Sequence, residues 1–169
     1  VLDIEDWSGN FTISQWVWAN TTNQSNYSSI FAIDNSAGSN QSFQHAILGS
    51  KWRLHNNQTK VFGDVIPNEW SHLVTTYDAG NVNQYLDGVL VNTDYYPNGS
   101  FNNFELYKIG VNRANSSHFE GMVDKVMIWD TALENSSITV LNRNIINNCS
   151  AYSGNGQNVA YLETIHSIP

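Results

Sequence analysis

Charge is scarce in this 169-residue chain: only 13% of its residues are Asp, Glu, Lys or Arg, about half the share usual in soluble domains. Seven Lys plus Arg against fifteen Asp plus Glu leave a net charge of −8. That balance offers no basic stripe for phosphates and excludes nucleic acid and anionic membranes as expected partners. No apolar run approaches the roughly 18 residues of a membrane span, so direct membrane insertion is not expected. The start holds no basic stretch followed by an apolar core, so no signal peptide is expected, and the strand-like opening "VLDIE" reads as a mature or excised chain. With one cysteine, Cys149, no intramolecular disulfide can close. It reads as a small buried residue, or, outside the cell, as a thiol for another chain.

What the chain does have is apolar and amide side chains. A 41% hydrophobic fraction with six Trp, eight Tyr and seven Phe argues for one folded domain with a real core. Solubility must then come from Asn, Ser and Thr, or from what is attached to them. The triplet Asn-x-Ser/Thr occurs at Asn10, Asn20, Asn23, Asn26, Asn40, Asn57, Asn98, Asn115, Asn135 and Asn148. Chance placement of 24 Asn and 28 Ser or Thr gives about four such triplets, so the excess is roughly twofold. Asn and Ser also gather in turns for conformational reasons. The favoured reading is an extracellular or cell-surface chain whose N-linked glycans replace missing surface charge.

Short β-branched and aromatic segments follow one another with Gly, Asn, Asp and Ser between them. Strands are expected at 11–19, 29–33, 43–48, 51–55, 60–65, 70–77, 83–87, 89–95, 104–111 and 121–129. Asp87-Gly88 sits between two alternating runs and suits a two-residue hairpin turn with positive φ at both positions. Residues 131–146 differ: Leu133, Ile138, Leu141 and Ile145 recur at helical intervals, with Asn135 or Ser136 placed to cap. "NVAYLETIHSI" supplies a last strand. The fold class is therefore all-β, a two-sheet antiparallel sandwich with one short helix near the C-terminus.

Three stretches in register carry a family resemblance: "FTISQWVWA", "NEWSHLVTTYDAGNVNQYLDGVLVNT" and "YKIGVNRANSSHFEGMVDKVMIWDTALENSSITVLN". They resemble the blocks of the laminin-G-like, concanavalin-A-like jelly-roll family in its LamG-like form. The resemblance implies two packed antiparallel sheets of six or seven strands, one concave and one convex, with a domain over 1–147. Residues 148–169 then form an extension whose last strand completes a sheet in cis or by exchange with a neighbouring subunit. In "WSHLVTTYD", alternation sets Leu73 and Thr75 on one face and His72, Val74 and Thr76 on the other. Trp16 and Trp70 are expected to anchor the layer between the sheets, and His72 to be a hydrogen-bonded framework residue.

Enzyme chemistry has little to stand on. Glycosidases of the superfamily set several acids along one strand; here only Asp3 and Glu5 share a face, and no enzyme is expected. The resemblance implies a Ca²⁺ site, for which Asp124 and Asp34 are the candidates, Asp124 alternatively capping loop amides or pairing with Lys125 or Arg113. It also implies glycan binding, for which Trp52, Tyr77 and Tyr85, with His55 and Tyr107, are candidate stacking residues that equally suit a core. The expected role is a structural or adhesive building block or module of a surface filament, pilus or sheath, its partners being copies of itself or other surface proteins through strand exchange. The alternative is a calcium-dependent, lectin-like carbohydrate-binding module of a larger secreted protein.

Overall fold

The structure, a computed structural model, describes residues 9–34, 43–56, 58–96, 101, 106–144, 159–162 and 166–167. The strands are β1 (Phe11–Ala19), β2 (Ser29–Asp34), β3 (Phe43–Leu48), β4 (Lys51–Asn56), β5 (Gln58–Asp64), β6 (Trp70–Asp78), β7 (Asn81–Leu86), β8 (Val89–Tyr95), β9 (Leu106–Ile109), β10 (Gly121–Trp129), β11 (Val159–Leu162) and β12 (His166–Ser167), with one helix, α1 (Asn135–Asn144). Two sheets result. One runs β11-β10-β1-β6-β7-β8 with β12 also on β10, and the other runs β5-β4-β3-β2-β9. Every pairing is antiparallel. Among the described residues the sheets thus hold seven and five strands, not six or seven each, and the stretch "NVAYLETIHSI" supplies β11 and β12, both paired with β10 of the same chain.

Alternation decides what fills the middle. Phe11, Ile13 and Val17 of β1 meet Phe31, Phe43, Trp52 and Leu54 from the other sheet, all buried. Phe11 stacks on Tyr77 with ring centroids 5.3 Å apart and meets Phe101 edge-on at 5.5 Å. Such pairs add to plain burial because the ring quadrupoles are aligned favourably. One polar bridge crosses this layer: the Gln15 amide donates to His45 Nδ1 at 2.8 Å, and His45 Nε2 lies 2.7 Å from Thr75 Oγ1. With Nδ1 accepting, Nε2 carries the proton and donates to the threonine. Burial pushes the His45 pKa down to about 3.

The expected turn at Asp87-Gly88 forms with φ of 51° and 78°, the pair of positive values a two-residue hairpin needs. Asp87 does more than turn the chain. Its Oδ1 accepts the His72 N–H at 2.8 Å, and its carbonyl accepts from Asn142 Nδ2 at 2.9 Å. The hairpin is thereby tied to both β6 and α1. The helix begins at Asn135 itself, so the flanking position falls on Glu134, whose carbonyl accepts the Ile138 N–H at 3.1 Å.

Trp16 and Trp70 are not in the layer between the sheets. Leu73 and Tyr77 of β6 point to the core, so Trp70 and His72 point away, and Trp70 is exposed. Trp16 shares that outer face and stacks on His72 at 4.9 Å between centroids. There α1 covers the sheet: its Ile138 and Leu141, with Leu133 just before it, pack on Val74 and Tyr85.

Candidate aromatic and cationic site on the five-stranded sheet

In β4, Trp52 and Leu54 face the core, so the residues between and after them, Arg53 and His55, face outward. The loop from Asn20 to Ser28 brings Tyr27 onto this face. Its anchor is Gln24, which donates from Nε2 to the carbonyls of Thr21 and Glu120, both at 2.9 Å, and accepts the Glu120 N–H at 2.9 Å. The loop ends in a tight turn in which Ser28 N–H donates to the Ser25 carbonyl at 3.0 Å. Tyr27 is the third residue of that turn and has φ of 81°, a value for which turns normally use glycine. A bulky residue held there stores backbone strain.

In this conformation the Tyr27 ring lies over Arg53. The guanidinium carbon lies 4.1 Å from the ring centroid, and His55 meets the ring edge-on at 5.8 Å. Arg53 is 1% exposed whereas Tyr27 is 47% exposed. One ring face is therefore occupied by the cation while much of the side chain meets solvent. His55 Nδ1 lies 3.3 Å from Thr59 Oγ1. Its pKa is lowered by burial, then by the charges of Arg53 and Arg113, so it presents a neutral imidazole near pH 7. Lys108, on β9, donates to the Arg113 carbonyl. Five of the chain's seven Lys and Arg residues, Lys51, Arg53, Lys60, Lys108 and Arg113, belong to this sheet or to the loop after β9.

The three aromatics expected to stack on a ligand do not form this site. Trp52 and Tyr77 are buried between the sheets, and Tyr85 is buried beneath α1. Each has the large apolar body that the core takes first, because burying it removes more surface from water than any aliphatic residue could. Of the other two candidates, His55 lies in the site and Tyr107 is exposed on β9. Tyr27 and Arg53 escaped the sequence reading. The alternation in "KWRLH" carries the signal for Arg53, since it sets Arg53 and His55 on one face; a lone Tyr in a Ser- and Asn-rich turn carries almost none.

Asp124 stands in β10 opposite Trp16, and its Oδ1 accepts the neighbouring Lys125 N–H at 2.8 Å, the local capping role. Asp34 ends β2 in the other sheet, and its side chain lies outside the described residues. Among the described residues no three acidic, histidine or cysteine side chains come together as a metal site. Asn10, Asn20, Asn23, Asn26, Asn115 and Asn135 are all exposed, and Asn115 has φ of 57°, as the turn-forming reading of asparagine requires. Asn40, Asn57, Asn98, Asn148, Cys149, Asp3 and Glu5 lie outside the described residues. Among the described residues, no helix is long and apolar enough to cross a membrane.

Comparison with known proteins agrees with this architecture. No curated protein matches the sequence. Among solved structures, domain 4 of AbnA, an extracellular arabinanase from Geobacillus stearothermophilus in complex with arabinotriose, matches at a TM-score of 0.64 and 20% identity over 79% of this chain and 66% of that one. The native heptameric SAP-like pentraxin of Limulus polyphemus matches at 0.64 and 13% identity, over 98% of this chain and 96% of that one. Trypanosoma rangeli sialidase, in complex with 2,3-difluorosialic acid, matches at 0.67 and 15% identity, over 83% of this chain and only 23% of that one. The chain thus spans part of the arabinanase domain and a smaller part of the sialidase. The Laminin_G_3 family, described as the concanavalin A-like lectin/glucanases superfamily, matches residues 2–139. The chain belongs to that superfamily.

Proposed function

We propose that this domain is a carbohydrate-binding module and that Tyr27 is its stacking platform. The observation that carries the reading is the pose of Tyr27: a half-exposed ring over a buried guanidinium, at a backbone conformation a tyrosine adopts only under constraint. Exposed aromatic faces take the apolar face of a sugar ring, with neighbouring polar groups reading its hydroxyls; His55 stands beside the ring, with Thr59 next to it. The AbnA domain, seen with arabinotriose, supports the reading in that it places a sugar on a protein of this fold.

A glycan array probed with the glycosylated protein and with Tyr27→Gly tests it. Glycine suits the positive φ, so the variant is expected to fold with an unchanged melting curve while its affinity falls by about tenfold or more. A variant that binds every array hit as tightly as the parent would overturn the platform.

The exposed sequons support an extracellular, N-glycosylated setting for this module, testable by peptide mass mapping of the native protein. A second reading, a building block of a surface assembly, is favoured by β8, an outer strand whose Val89, Leu90, Val91 and Tyr95 are exposed. Unpaired apolar edges invite another strand. Strand exchange through the C-terminal segment has less support, because β11 and β12 pair with β10 of the same chain. Native mass measurement at rising concentration separates the two readings: monomers throughout leave the module alone standing.

A further inference from the structure

We propose that the sugar taken at the Tyr27 platform carries a carboxylate, received by Arg53 through the Nε and Nη2 edge of its guanidinium. The inference rests on the platform reading and adds the class of ligand. Two buried donors of Arg53 lack a hydrogen-bond partner, and they are Nε and Nη2. Those two N–H groups point in parallel from one edge of the planar group, spaced to meet both oxygens of one carboxylate. A neutral hydroxyl would answer one of them and leave the other bare.

The surroundings point the same way. Lys51 pairs with Asp64 at 2.6 Å and Lys60 with Asp94 at 3.1 Å, and Arg53 takes part in neither. A cation that is 1% exposed and faces a ring, with one hydrogen-bonding edge empty, costs stability unless something fills that edge. Lys108 on β9 and Arg113 in the loop after it add positive charge near His55. In a chain of net charge −8 this is a local field of the opposite sign, which draws in an anion that the rest of the surface repels.

Access requires one movement. Tyr27 is the exposed side chain that lies over Arg53, so its ring moves aside as the acid enters. A side chain 47% exposed on a surface turn makes such rotamer changes readily. The tilted ring then forms the wall against which the sugar stacks, while the carboxylate takes the place on Arg53.

Calorimetric titration of the intact protein with trigalacturonate and with its methyl ester tests this, with 3′-sialyllactose and its ester as the second pair. In at least one pair the acid is expected to bind at least about tenfold tighter than its ester, with the ratio shrinking as salt is raised. Arg53→Lys keeps the charge and loses the fork, and is expected to lower that ratio severalfold; its melting curve verifies the fold. Acid and ester binding equally overturns the carboxylate and leaves the platform standing. Array hits confined to neutral glycans do the same. Loss of all glycan binding, in both pairs and on the array, overturns the platform itself. The acid-to-ester ratio of the parent protein decides the matter even if Arg53→Lys fails to fold.

Discussion

Ser14 Oγ lies 2.7 Å from His72 Nε2, and the imidazole lies nearly parallel to the Trp16 ring, 11° between planes. The pair has the spacing of a nucleophile and its base, but its environment gives it another task. Ser14 and His72 are fully buried beneath α1, and burial pushes the His72 pKa down to about 3. An imidazole that refuses a proton until strongly acidic pH is a poor general base near neutrality. It serves as a hydrogen-bonded joint between β1 and β6.

That joint makes the fold acid-sensitive. His72 and His45 both have pKa values pushed down to about 3 by burial, whereas an unfolded histidine takes its proton near pH 6.5. Below about pH 6.5 the unfolded chain binds protons that the folded chain refuses, so stability is full above that point and is lost on acidification toward pH 3. The slope is about 1.4 kcal/mol per pH unit for each histidine. Urea unfolding at pH 7.5, 6 and 5 is expected to show a falling midpoint, with His45→Gln removing about half of the slope. A midpoint that does not move between pH 7.5 and 5 would contradict the buried neutral state.

Asn10 differs from the other exposed sequon asparagines. Its Nδ2 donates to Asp78 Oδ1 at 2.6 Å and its Oδ1 accepts the Ala79 N–H at 3.0 Å. The hydroxyl of its triplet, Thr12 Oγ1, donates to the Thr131 carbonyl and accepts the Leu133 N–H, both at 2.8 Å. The groups a glycosyl transfer needs are thus engaged in joining β1 to the β6–β7 turn and to the segment before α1. Peptide mass mapping of the native protein is expected to find glycan on Asn20 or Asn23 and an unmodified Asn10. Asn10→Gln is expected to lower stability by about 1 kcal/mol, and Asn20→Gln to leave it unchanged. Full occupancy at Asn10 would show that its amide is not committed to the turn.

The strands were legible because they rest on local pattern. β1, β3, β8 and β10 fall where alternation and β-branched residues set them, and Asp87-Gly88 turns as its residue types demand. The placement of individual aromatics was not. Trp52, Tyr77 and Tyr85 could serve a core or a surface equally, and only the partner across the sandwich decides. Size alone assigns Trp16 and Trp70 to the interior; their parity along β1 and β6 puts them with His72, on the side that α1 partly covers. The site itself depends on Tyr27 reaching over a strand met later in the chain, a contact between residues 27 and 53 that no local period encodes.

Calcium bears on the site in a way that can be checked directly. The platform groups, Tyr27, Arg53 and His55, offer a ring, a cation and an imidazole, none of them the oxygen donors Ca²⁺ requires. Glycan binding at Tyr27 is therefore expected to be the same in EDTA as in millimolar calcium. Affinity abolished by EDTA and restored by calcium would move the binding site away from Tyr27.

Gly121 opens β10 within the "FEG" of the closing sequence block, and its need for glycine is steric. A Cβ there would stand 2.1 Å from the Trp18 carbonyl oxygen and 2.6 Å from the Phe119 ring. The carbonyl belongs to β1, whose Ala19 pairs with Gly121, and the ring is fully buried, so neither neighbour can yield cheaply. Overpacking of this kind costs typically about 1–3 kcal/mol, and more where backbone must move. Gly121→Ala is expected to lower the denaturation midpoint at least that far, whereas Gly9→Ala, with open space around its position, is expected to be neutral. Equal midpoints for the two variants would mean that β1 and β10 separate more easily than their close register implies.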